Sequence, residues 1–416
     1  MKRRVVITGM GVVSPNGIGR EEFCPAVLAG KSGVRRISRF DASDLPVQIA
    51  GEIRDFDELG WIDSHERKHV SRVVPLALAA SSEALAQAGV EPANLSLKEQ
   101  REIGVSLGTG GGAQEFSEEM YRLYFSGRSK NASLYSIPSG TTGTLASELS
   151  MRFGFHGMSH VLSTGCTSST DALGYALRQI QHGYLPMFLA GGADAPIAPG
   201  IMKGFTLMKI LTASWNDEPE RASRPFSADR DGFVLGEGAW MFAVEDLEHA
   251  RARGAQPLAE IVGYGSTCEA FHRVRLQEDG EEPARAIQMA IEDAGIAATD
   301  IDYVNLHGTS TELNDRIETR ALKLAINCRA HAIPMSSLKS QIGHPQGASG
   351  AAGVAATLVA MIHGKLPPTI NLEKPDPNCD LDYVPEAGRA ATIGHAVCNC
   401  IGFGSKNSAL VVLAAE

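Results

Sequence analysis

Residues 350–362 read Gly-Ala-Ala-Gly-Val-Ala-Ala-Thr-Leu-Val-Ala-Met-Ile, and this run predicts a helix that is apolar on every side. A helix without a polar face is stable in water only where other elements cover it all round. We therefore expect it in the middle of the molecule, between two sheets. Residues 168–182 form a second helical run that is nearly as apolar. One such helix in each half predicts a duplicated architecture with its seam near 250–257.

Strand-like and helix-like runs alternate along the rest of the chain, which predicts βαβ units, largely parallel sheets and an α/β fold. The predicted strands are 3–8, 103–108, 160–163, 187–191, 238–244, 258–264, 302–306 and 408–414. The predicted helices are 66–88, 142–152, 168–182, 284–295, 315–326 and 349–363.

The composition narrows the class of protein. The 416 residues include 38 Lys and Arg against 48 Asp and Glu, which gives a net charge of −10. Proteins that bind nucleic acids generally are usually basic, so no nucleic-acid partner is expected. No apolar run approaches the roughly 18 residues of a membrane span. The seven irregularly placed cysteines are typical of a reducing compartment. We expect a soluble, cytoplasmic protein without a membrane partner.

The first candidate for chemistry is Cys166, in the run Ser-Thr-Gly-Cys-Thr-Ser-Ser-Thr at 163–170. The residues before it predict the end of a strand, and the apolar spacing over 171–182 predicts a helix after it. At such a turn, free backbone N–H groups and the helix dipole favour a thiolate, the nucleophilic form of cysteine. On its own, the pattern also fits a small buried cysteine without a chemical role.

Two further motifs place histidines at the ends of elements. His307 follows an apolar strand in the run Val-Asn-Leu-His-Gly-Thr-Ser-Thr at 304–311. His344 comes five residues after Lys339, in a polar loop before the apolar helix. Each motif alone is ambiguous, because a histidine at a strand end is usually a surface or hydrogen-bonded residue. Together the motifs offer a thiol, two imidazoles and an ammonium in loops of the kind that form active sites.

With these motifs the chain resembles the β-ketoacyl synthases, the decarboxylating condensing enzymes of the thiolase superfamily. The resemblance covers essentially the full length and includes the runs 5–11, 224–226, 231–238 and 402–404. It implies a thiolase-like duplicated five-layer α-β-α-β-α sandwich, with the two apolar helices in the middle layer. It also implies two halves, 1–255 with the nucleophilic cysteine and 256–416 with the catalytic histidines.

The resemblance implies a reaction and a role for each group. Cys166 would hold an acyl chain as a thioester, and its oxyanion would be met by the backbone N–H groups of Cys166 and Phe403. Malonyl-acyl carrier protein would lose CO2, and the resulting enolate would extend the chain by two carbons. His307 and His344 would stabilise the enolate, and Lys339 would tune the electrostatics of the histidines. Glu318 would have a structural or water-ordering role, and Phe403 would gate the thiol.

Residues for the substrate and its carrier follow from the same resemblance. Thr309 and Thr311 would hydrogen-bond the pantetheine arm. Thr109 and Ser136 would line the acyl pocket where fatty-acid relatives have larger apolar residues, which predicts a roomier or more polar pocket for a longer or oxygenated chain. The implied partner, acyl carrier protein, is acidic, so a chain of net charge −10 needs a confined basic patch. The candidates for this patch are Arg67, Lys68, Arg128, Lys130 and Lys209.

The chain departs from the family pattern near the site. Ser405 and Lys406 stand where many relatives carry a glycine and a threonine. Val274 falls where relatives place a threonine that contacts the pantetheine, and Arg273 and Arg275 add charge beside it. These departures leave the details of carrier-arm binding open.

The pathway has two candidate assignments. Runs such as 163–168 and 379–385 favour the ketosynthase subunit of a type II polyketide synthase, which pairs with a chain-length-factor subunit in a heterodimer. The fatty-acid elongating 3-oxoacyl-acyl carrier protein synthases share parts of these runs and are homodimers. A catalytically silent chain-length partner and an ester-forming acyltransferase on the same fold also stay open.

No cofactor is expected beyond the phosphopantetheine that the carrier brings, and no metal is expected. The run His-Glu-Arg-Lys-His at 65–69 matches the zinc-protease pattern H-E-x-x-H. However, two cationic residues lie between its histidines, and no Gly-rich segment with a third ligand follows.

Overall fold

In the computed structural model, which describes residues 2–415, strands and helices alternate along the chain. The strands are β1 (Val5–Ser14), β2 (Gly17–Ile18), β3 (Arg35–Arg36), β4 (Ile49–Ala50), β5 (Ile103–Gly108), β6 (Ser159–Leu162), β7 (Met187–Asp194), β8 (Gly238–Asp246), β9 (Ala259–Cys268), β10 (Ile301–Asn305), β11 (Met335–Ser336), β12 (His395–Gly402) and β13 (Lys406–Ala414). The helices are α1 (Arg20–Ala29), α2 (Val73–Gln87), α3 (Leu97–Arg101), α4 (Gln114–Phe125), α5 (Ser136–Gly140), α6 (Thr144–Phe153), α7 (Ser168–Gln181), α8 (Pro199–Leu207), α9 (Leu247–Ala252), α10 (Glu281–Ala294), α11 (Glu312–Ile326), α12 (Lys339–Ile342) and α13 (Ser349–His363).

Most of the strands belong to one mixed sheet, in the order β11-β10-β12-β13-β9-β1-β8-β7-β5-β6, with β2 paired to β1. The sheet is narrow in the middle, where β1 and β9 share only the pairs Val6–Glu260 and Ile7–Ala259. On either side of this junction the order and directions repeat. β5 runs parallel to β6 and β7, as β10 does to β11 and β12. β8 runs antiparallel to β7 and β1, as β13 does to β12 and β9. The architecture is therefore duplicated, as the sequence predicts.

The expectation of largely parallel sheets is wrong, because each half is mixed. In the second half, β12 and β13 are joined by a turn at residues 403–405. A connection this short forces two neighbouring strands to run antiparallel. In the first half, the long connection at residues 195–237 brings β8 back against β7 in the opposite direction.

The two apolar helices, α7 and α13, lie between the two halves of the sheet. Leu177 of α7 and Val359 of α13 belong to the same core as Phe188 of β7 and Val412 of β13, so both helices are covered by strands of both halves. On the outer faces, α2 and α6 pack on the first half and α10 and α11 on the second. The result is the five-layer α-β-α-β-α sandwich that the resemblance implies.

The helix expected over 66–88 begins later than its apolar pattern suggests. Residues Arg67–His69 form a separate 3-10 turn, and α2 starts at Val73. The side-chain carboxylate of Glu115 accepts the backbone N–H of Arg72 at 2.6 Å, where α2 begins. A contact with a residue so distant in sequence is not visible in the local pattern.

The sequence pattern does not predict α1, α4, α8 or β12. Pro25 lies inside α1, where a proline normally argues against a helix. The expected division of the chain between 255 and 256 falls in the connection from α9 to β9, and stays a prediction. No helix within residues 2–415 combines the length and the apolar character needed to cross a membrane.

Candidate active site

Cys166 lies in a single 3-10 turn between β6 and α7, at the N-terminal end of the 14-residue helix. The turn depends on Gly165, whose φ of 74° is unfavourable for residues with a Cβ. A Cβ at that position would also lie 3.2 Å from the backbone oxygen of Phe403. These two backbone segments therefore approach each other closely, and both Cys166, which is 5% exposed, and Phe403 line a cavity.

Burial raises the pKa of the Cys166 thiol to about 11. The backbone N–H of Phe403 and the ammonium of Lys339 lower this pKa without overcoming the effect of burial. At pH 7 this raised pKa favours the neutral thiol, because lost solvation disfavours the charged form. A base is needed to take the thiol proton when the sulfur attacks.

His344 lies beside this thiol, with its Nε2 atom 3.1 Å from the Sγ atom of Cys166. Its Nδ1 atom is 3.0 Å from the hydroxyl oxygen of Ser349, the first residue of α13. The backbone N–H of His344 donates to the backbone oxygen of Val234 at 2.7 Å. Both the main chain and the ring of His344 are therefore fixed in place.

His307 lies two residues after β10 and faces His344, with ring centroids 5.3 Å apart and planes nearly perpendicular. Its Nδ1 atom is 3.4 Å from the Sγ atom of Cys400 on β12. Donor atoms of Cys166, His307 and His344 lie within 4.8 Å of one another. The three motifs that the sequence places far apart thus meet at one point.

Both imidazoles have pKa values well below the ordinary 6.5, first because they are buried and second because the Lys339 ammonium is close. Each is therefore neutral at pH 7, with one N–H group and one lone pair. Lys339 is also buried, and its Nζ atom donates to the backbone oxygen of His307 at 2.7 Å. This geometry gives a physical basis for the tuning role expected of Lys339.

Glu318 lies behind His307, outside the cavity. Its carboxylate accepts hydrogen bonds from the backbone N–H groups of His307 at 2.6 Å and Gly308 at 2.7 Å. It also accepts one from the side-chain amide of Asn399 at 2.7 Å. Burial raises the pKa of Glu318 to about 6. The carboxylate holds the turn that carries His307. This geometry is compatible with a structural role for Glu318, which is expected to have either a structural or a water-ordering role.

A cavity of about 420 Å³ opens above the sulfur. The predicted site residues that line it are Cys166, His307, Thr309, Thr311, His344 and Phe403. The hydroxyl oxygens of Thr309 and Thr311 are 2.9 Å apart. The walls also include apolar side chains such as Ile210, Phe233 and Leu276, so the cavity suits a long substrate that is mainly apolar.

Thr109 and Ser136 do not line this cavity. Thr109 is buried, and its hydroxyl donates to the carboxylate of Asp194 at 2.7 Å. Ser136 is the first residue of α5, and its hydroxyl oxygen accepts a hydrogen bond from Tyr124. Their role in an acyl pocket stays a prediction.

The candidate residues of the basic patch differ in the exposure of their side chains and in their ion pairs. Arg67 is half-buried, and its guanidinium is paired with the carboxylate of Glu58. Lys209 lies between Met208 and Ile210, which both line the cavity, and its own exposed side chain is beside that lining. The candidates with exposed side chains are Lys68, Arg128, Lys130 and Lys209.

Ser349 and Cys400, which are not among the predicted site residues, contact the catalytic groups. The signal for Ser349 is a hydroxyl at the start of a run that is otherwise apolar, five residues after His344. Cys400 alternates with Cys398 on β12, and only the contacts distinguish the two thiols. The Sγ atom of Cys400 lies 3.0 Å from the backbone oxygen of Cys166, whereas Cys398 contacts a buried threonine in α13.

Within residues 2–415, Cys166, His307 and His344 also form the one group of His, Cys, Asp and Glu side chains with a spacing that could hold a metal ion. The buried ammonium of Lys339 lies close by and opposes a second cation there. A site without a metal or a resident cofactor stays a prediction.

Known proteins resemble this chain over both of its halves. The family model for the N-terminal domain of beta-ketoacyl synthases matches residues 2–250, and the model for the C-terminal domain matches residues 258–373. A putative polyketide beta-ketoacyl synthase 1 from Streptomyces halstedii is 42% identical, with 100% of this chain and 99% of that protein covered. A 3-oxoacyl-acyl-carrier-protein synthase 2 from a Synechocystis strain is 39% identical, with 98% and 97% covered.

Solved structures of similar shape include two that contain ketosynthases. One is a type II polyketide synthase acyl-carrier protein in complex with its ketosynthase bound to the hexaketide, with a TM-score of 0.90, 32% identity and full coverage of both chains. Another is the ishigamide ketosynthase/chain length factor, with a TM-score of 0.92, 31% identity and full coverage. The likeness extends over both halves that build the site, and the chain belongs to the β-ketoacyl synthase family of condensing acyltransferases.

Proposed function

We propose that this protein extends an acyl chain by two carbons through decarboxylative Claisen condensation with malonyl-acyl carrier protein. The proposal rests on the Sγ atom of Cys166, which lies 3.1 Å from Nε2 of His344 in a cavity that His307 also lines. A thiol, two neutral imidazoles and a buried ammonium are groups that suit this reaction.

In the first half-reaction, the acyl chain passes from its carrier to Cys166. The thiol loses its proton as the sulfur attacks the thioester carbon. The backbone N–H groups of Cys166 and Phe403 are proposed to stabilise the oxyanion. The new thioester holds the chain and stays reactive toward a carbon nucleophile, which explains why the site needs sulfur.

In the second half-reaction, the malonyl group loses CO2, and the electron pair of the broken C–C bond forms an enolate. An imidazole N–H group aimed at the enolate oxygen supplies roughly 3 kcal/mol in a site that excludes water. His307 and His344 face this position, and burial, with the Lys339 ammonium as the second cause, keeps both rings neutral. The enolate carbon then attacks the Cys166 thioester and releases the thiol.

The pantetheine arm is proposed to lie along Thr309 and Thr311, and the acidic carrier protein on basic residues around the cavity mouth, Lys209 above all. A solved ketosynthase of similar fold was captured with its acyl-carrier protein, which supports the same class of partner here. No resident cofactor is proposed, because the phosphopantetheine belongs to the carrier. We place the reaction in the cytoplasm, in keeping with seven unpaired cysteines.

Within the family, we propose the ketosynthase subunit of a type II polyketide synthase. The Streptomyces relative carries a polyketide name, one similar solved structure is a type II polyketide synthase ketosynthase, and another is a ketosynthase/chain length factor. The alternative is a fatty-acid elongating 3-oxoacyl-acyl carrier protein synthase, which the Synechocystis relative supports.

A second subunit is proposed to cover the sheet edge at β6. In this sheet, β6 pairs with β5 alone among the described strands. Among the neighbouring helices, α6 packs on β6, α5 packs on α6, and α4 packs on α5. Exposed apolar residues of this region form what we call the apolar face: Tyr121, Phe125, Leu134, Ile137 and Met151. Apolar surfaces of this kind commonly mark interfaces. The proposed occupant is a chain-length-factor subunit, and under the fatty-acid alternative it is a second copy of this chain.

The pathway is tested by incubating the protein, alone and with a candidate chain-length-factor subunit, with malonyl-acyl carrier protein. CO2 release and the acylated species are measured, the latter by intact mass. Chain growth that requires the partner supports the polyketide assignment, whereas growth by the protein alone supports the fatty-acid alternative. If no pairing releases CO2, the protein is instead a silent chain-length partner or an ester-forming acyltransferase.

A further inference from the structure

The two catalytic histidines differ in the group that contacts their Nδ1 atoms. For His344 this group is the hydroxyl of Ser349 at 3.0 Å, and for His307 it is the thiol of Cys400 at 3.4 Å. A hydroxyl is a good hydrogen-bond acceptor, whereas a thiol is a weak one. Because both rings are neutral, the partner at Nδ1 influences which ring nitrogen carries the proton.

The proton of Ser349 is already engaged. Its Oγ atom lies 2.7 Å from the backbone oxygen of Gln346, to which it donates. The oxygen of Ser349 then offers His344 a lone pair, so the Nδ1 atom of His344 carries the proton and donates it to Ser349. The Nε2 atom of His344 keeps its lone pair, and it faces the Cys166 thiol at 3.1 Å.

Among residues 2–415, the partner at the Nδ1 atom of His307 is the thiol of Cys400, a weaker acceptor than a hydroxyl. The thiol of Cys400 has two acceptors within reach, the backbone oxygen of Cys166 at 3.0 Å and Nδ1 of His307 at 3.4 Å. A weak acceptor stabilises an N–H group at Nδ1 poorly. The Nε2 atom of His307 is therefore free to carry the proton and present it to the cavity.

We propose that Ser349 is a positioning residue that holds His344 in the tautomer with the proton on Nδ1, so that His344 is the base for Cys166 and His307 is the main donor to the enolate. This inference rests on the proposed function and deepens it.

The acyl-transfer step then balances within the site. The thiol proton of Cys166 moves to Nε2 of His344 as the S–C bond to the acyl carbon forms. When the C–S bond to the pantetheine breaks, the leaving thiolate takes this proton from Nε2. His344 returns to its starting tautomer, and no other reactant is consumed.

The kinetic test separates the two half-reactions in the complete protein. Ser349→Ala removes the acceptor without adding bulk, and we expect loading of Cys166 from acyl-acyl carrier protein to slow about tenfold. CO2 release from malonyl-acyl carrier protein should change much less, because His307 still donates. Ser349→Cys gives His344 the kind of partner that His307 has, and should fall between Ser349→Ala and the wild type.

The matched control is Thr357→Val in the same helix. The hydroxyl of Thr357 is also buried, but it donates to the backbone oxygen of Gly353 at 2.8 Å and contacts no catalytic residue. We expect neither half-reaction to change in this variant. Equal slowing of both half-reactions in Ser349→Ala, or no slowing of either, would overturn the proposal.

A second readout needs no turnover. In the resting wild-type protein, ¹⁵N NMR of the histidine rings should show the unprotonated nitrogen of His344 at Nε2, with part of this population shifted to Nδ1 in Ser349→Ala. A wild-type His344 protonated at Nε2 would overturn the tautomer assignment. Absence of loading and condensation in the wild type would instead contradict the proposed function, and the NMR result would still decide the tautomer.

Discussion

The Nζ atom of Lys339 donates a 2.7 Å hydrogen bond to the backbone oxygen of His307, which fixes a buried cation beside two catalytic imidazoles. The same ammonium lowers the pKa of both His307 and His344 and opposes the rise in the pKa of the Cys166 thiol. One side chain thus influences the protonation of three catalytic groups. It lies in α12, a single turn whose residues are all buried.

Removing this charge should move the pH dependence of decarboxylation. In Lys339→Met, the pKa values of His307 and His344 should rise toward 6.5, because the nearby positive charge is gone. Neutral rings are the active form, so the acidic limb of the pH–rate profile should shift to higher pH. At pH 7, CO2 release should change little, because burial alone still keeps both pKa values below 6.5. Lys98→Met, at an exposed position, is the control, and an unchanged acidic limb in Lys339→Met would contradict the role given to this lysine.

Glu318→Gln tests the support behind His307. The neutral amide cannot accept all three hydrogen bonds that the carboxylate accepts, so condensation should slow about tenfold as the turn loosens.

Burial raises the pKa of Glu318 from 4.5 to about 6 in the folded chain, so the folded state binds this proton more tightly than the unfolded state does. The stabilisation that this proton gives is complete below pH 4.5 and is lost as the pH rises through 6.

The free energy of unfolding, measured as a function of pH, tests whether stability falls as Glu318 loses its proton. The wild type should lose roughly 2 kcal/mol relative to Glu318→Gln as the pH rises from 4.5 to above 6. Parallel pH curves for the two proteins would show that Glu318 does not have the raised pKa, whatever the effect of the substitution on activity.

Charge reversal at the cavity mouth tests carrier binding. Lys209→Glu should raise KM for malonyl-acyl carrier protein several-fold and reduce its dependence on salt, with little change in kcat, because a rim charge acts mainly on association. Malonyl-pantetheine, which lacks the protein part of the carrier, serves as the matched substrate and should be used equally well by both proteins. An equal loss with both substrates would assign Lys209 to the cavity itself.

The apolar face is tested by the mass of the particle in solution. Phe125→Asp and Ile137→Asp each place a carboxylate on this face, and burying that charge in an interface is unfavourable. We expect either variant to dissociate the dimer in sedimentation equilibrium. Tyr184→Asp alters another exposed large side chain outside this face and is the control. A mass unchanged by the first two substitutions would show that the second subunit binds elsewhere.

The sequence predicts the middle of the molecule well, because an apolar helix can be stable only where both sides are covered. Residues 350–362 therefore give the middle layer and, with the second such helix, the duplication. The directions of the strands are less accessible. They depend on connections such as 403–405, whose effect on neighbouring strands appears only when the whole sheet is assembled.

The candidate site also has some features that the sequence predicts and others that depend on the assembled fold. The residue types around Cys166, His307 and His344 indicate the chemistry, and the structure brings them together. The protonation state of Cys166 is harder to predict from the sequence. The helix pattern after Cys166 indicates a helix dipole, but the sequence does not show the burial that raises the pKa of the thiol. The contacts of Ser349 and Cys400 are also invisible in the sequence, since each depends on a segment distant along the chain or on a side-chain direction.

The most direct test of the central claim is chain growth on a defined acyl-acyl carrier protein. The purified protein, with its partner subunit where one is required, receives this substrate and malonyl-acyl carrier protein, and intact mass follows both carriers and the protein. We predict an acyl adduct on Cys166, CO2 release and a product longer by two carbons, with adduct and product both lost in Cys166→Ala. A product that still forms in Cys166→Ala, or an acyl transfer without two-carbon growth, would contradict the account.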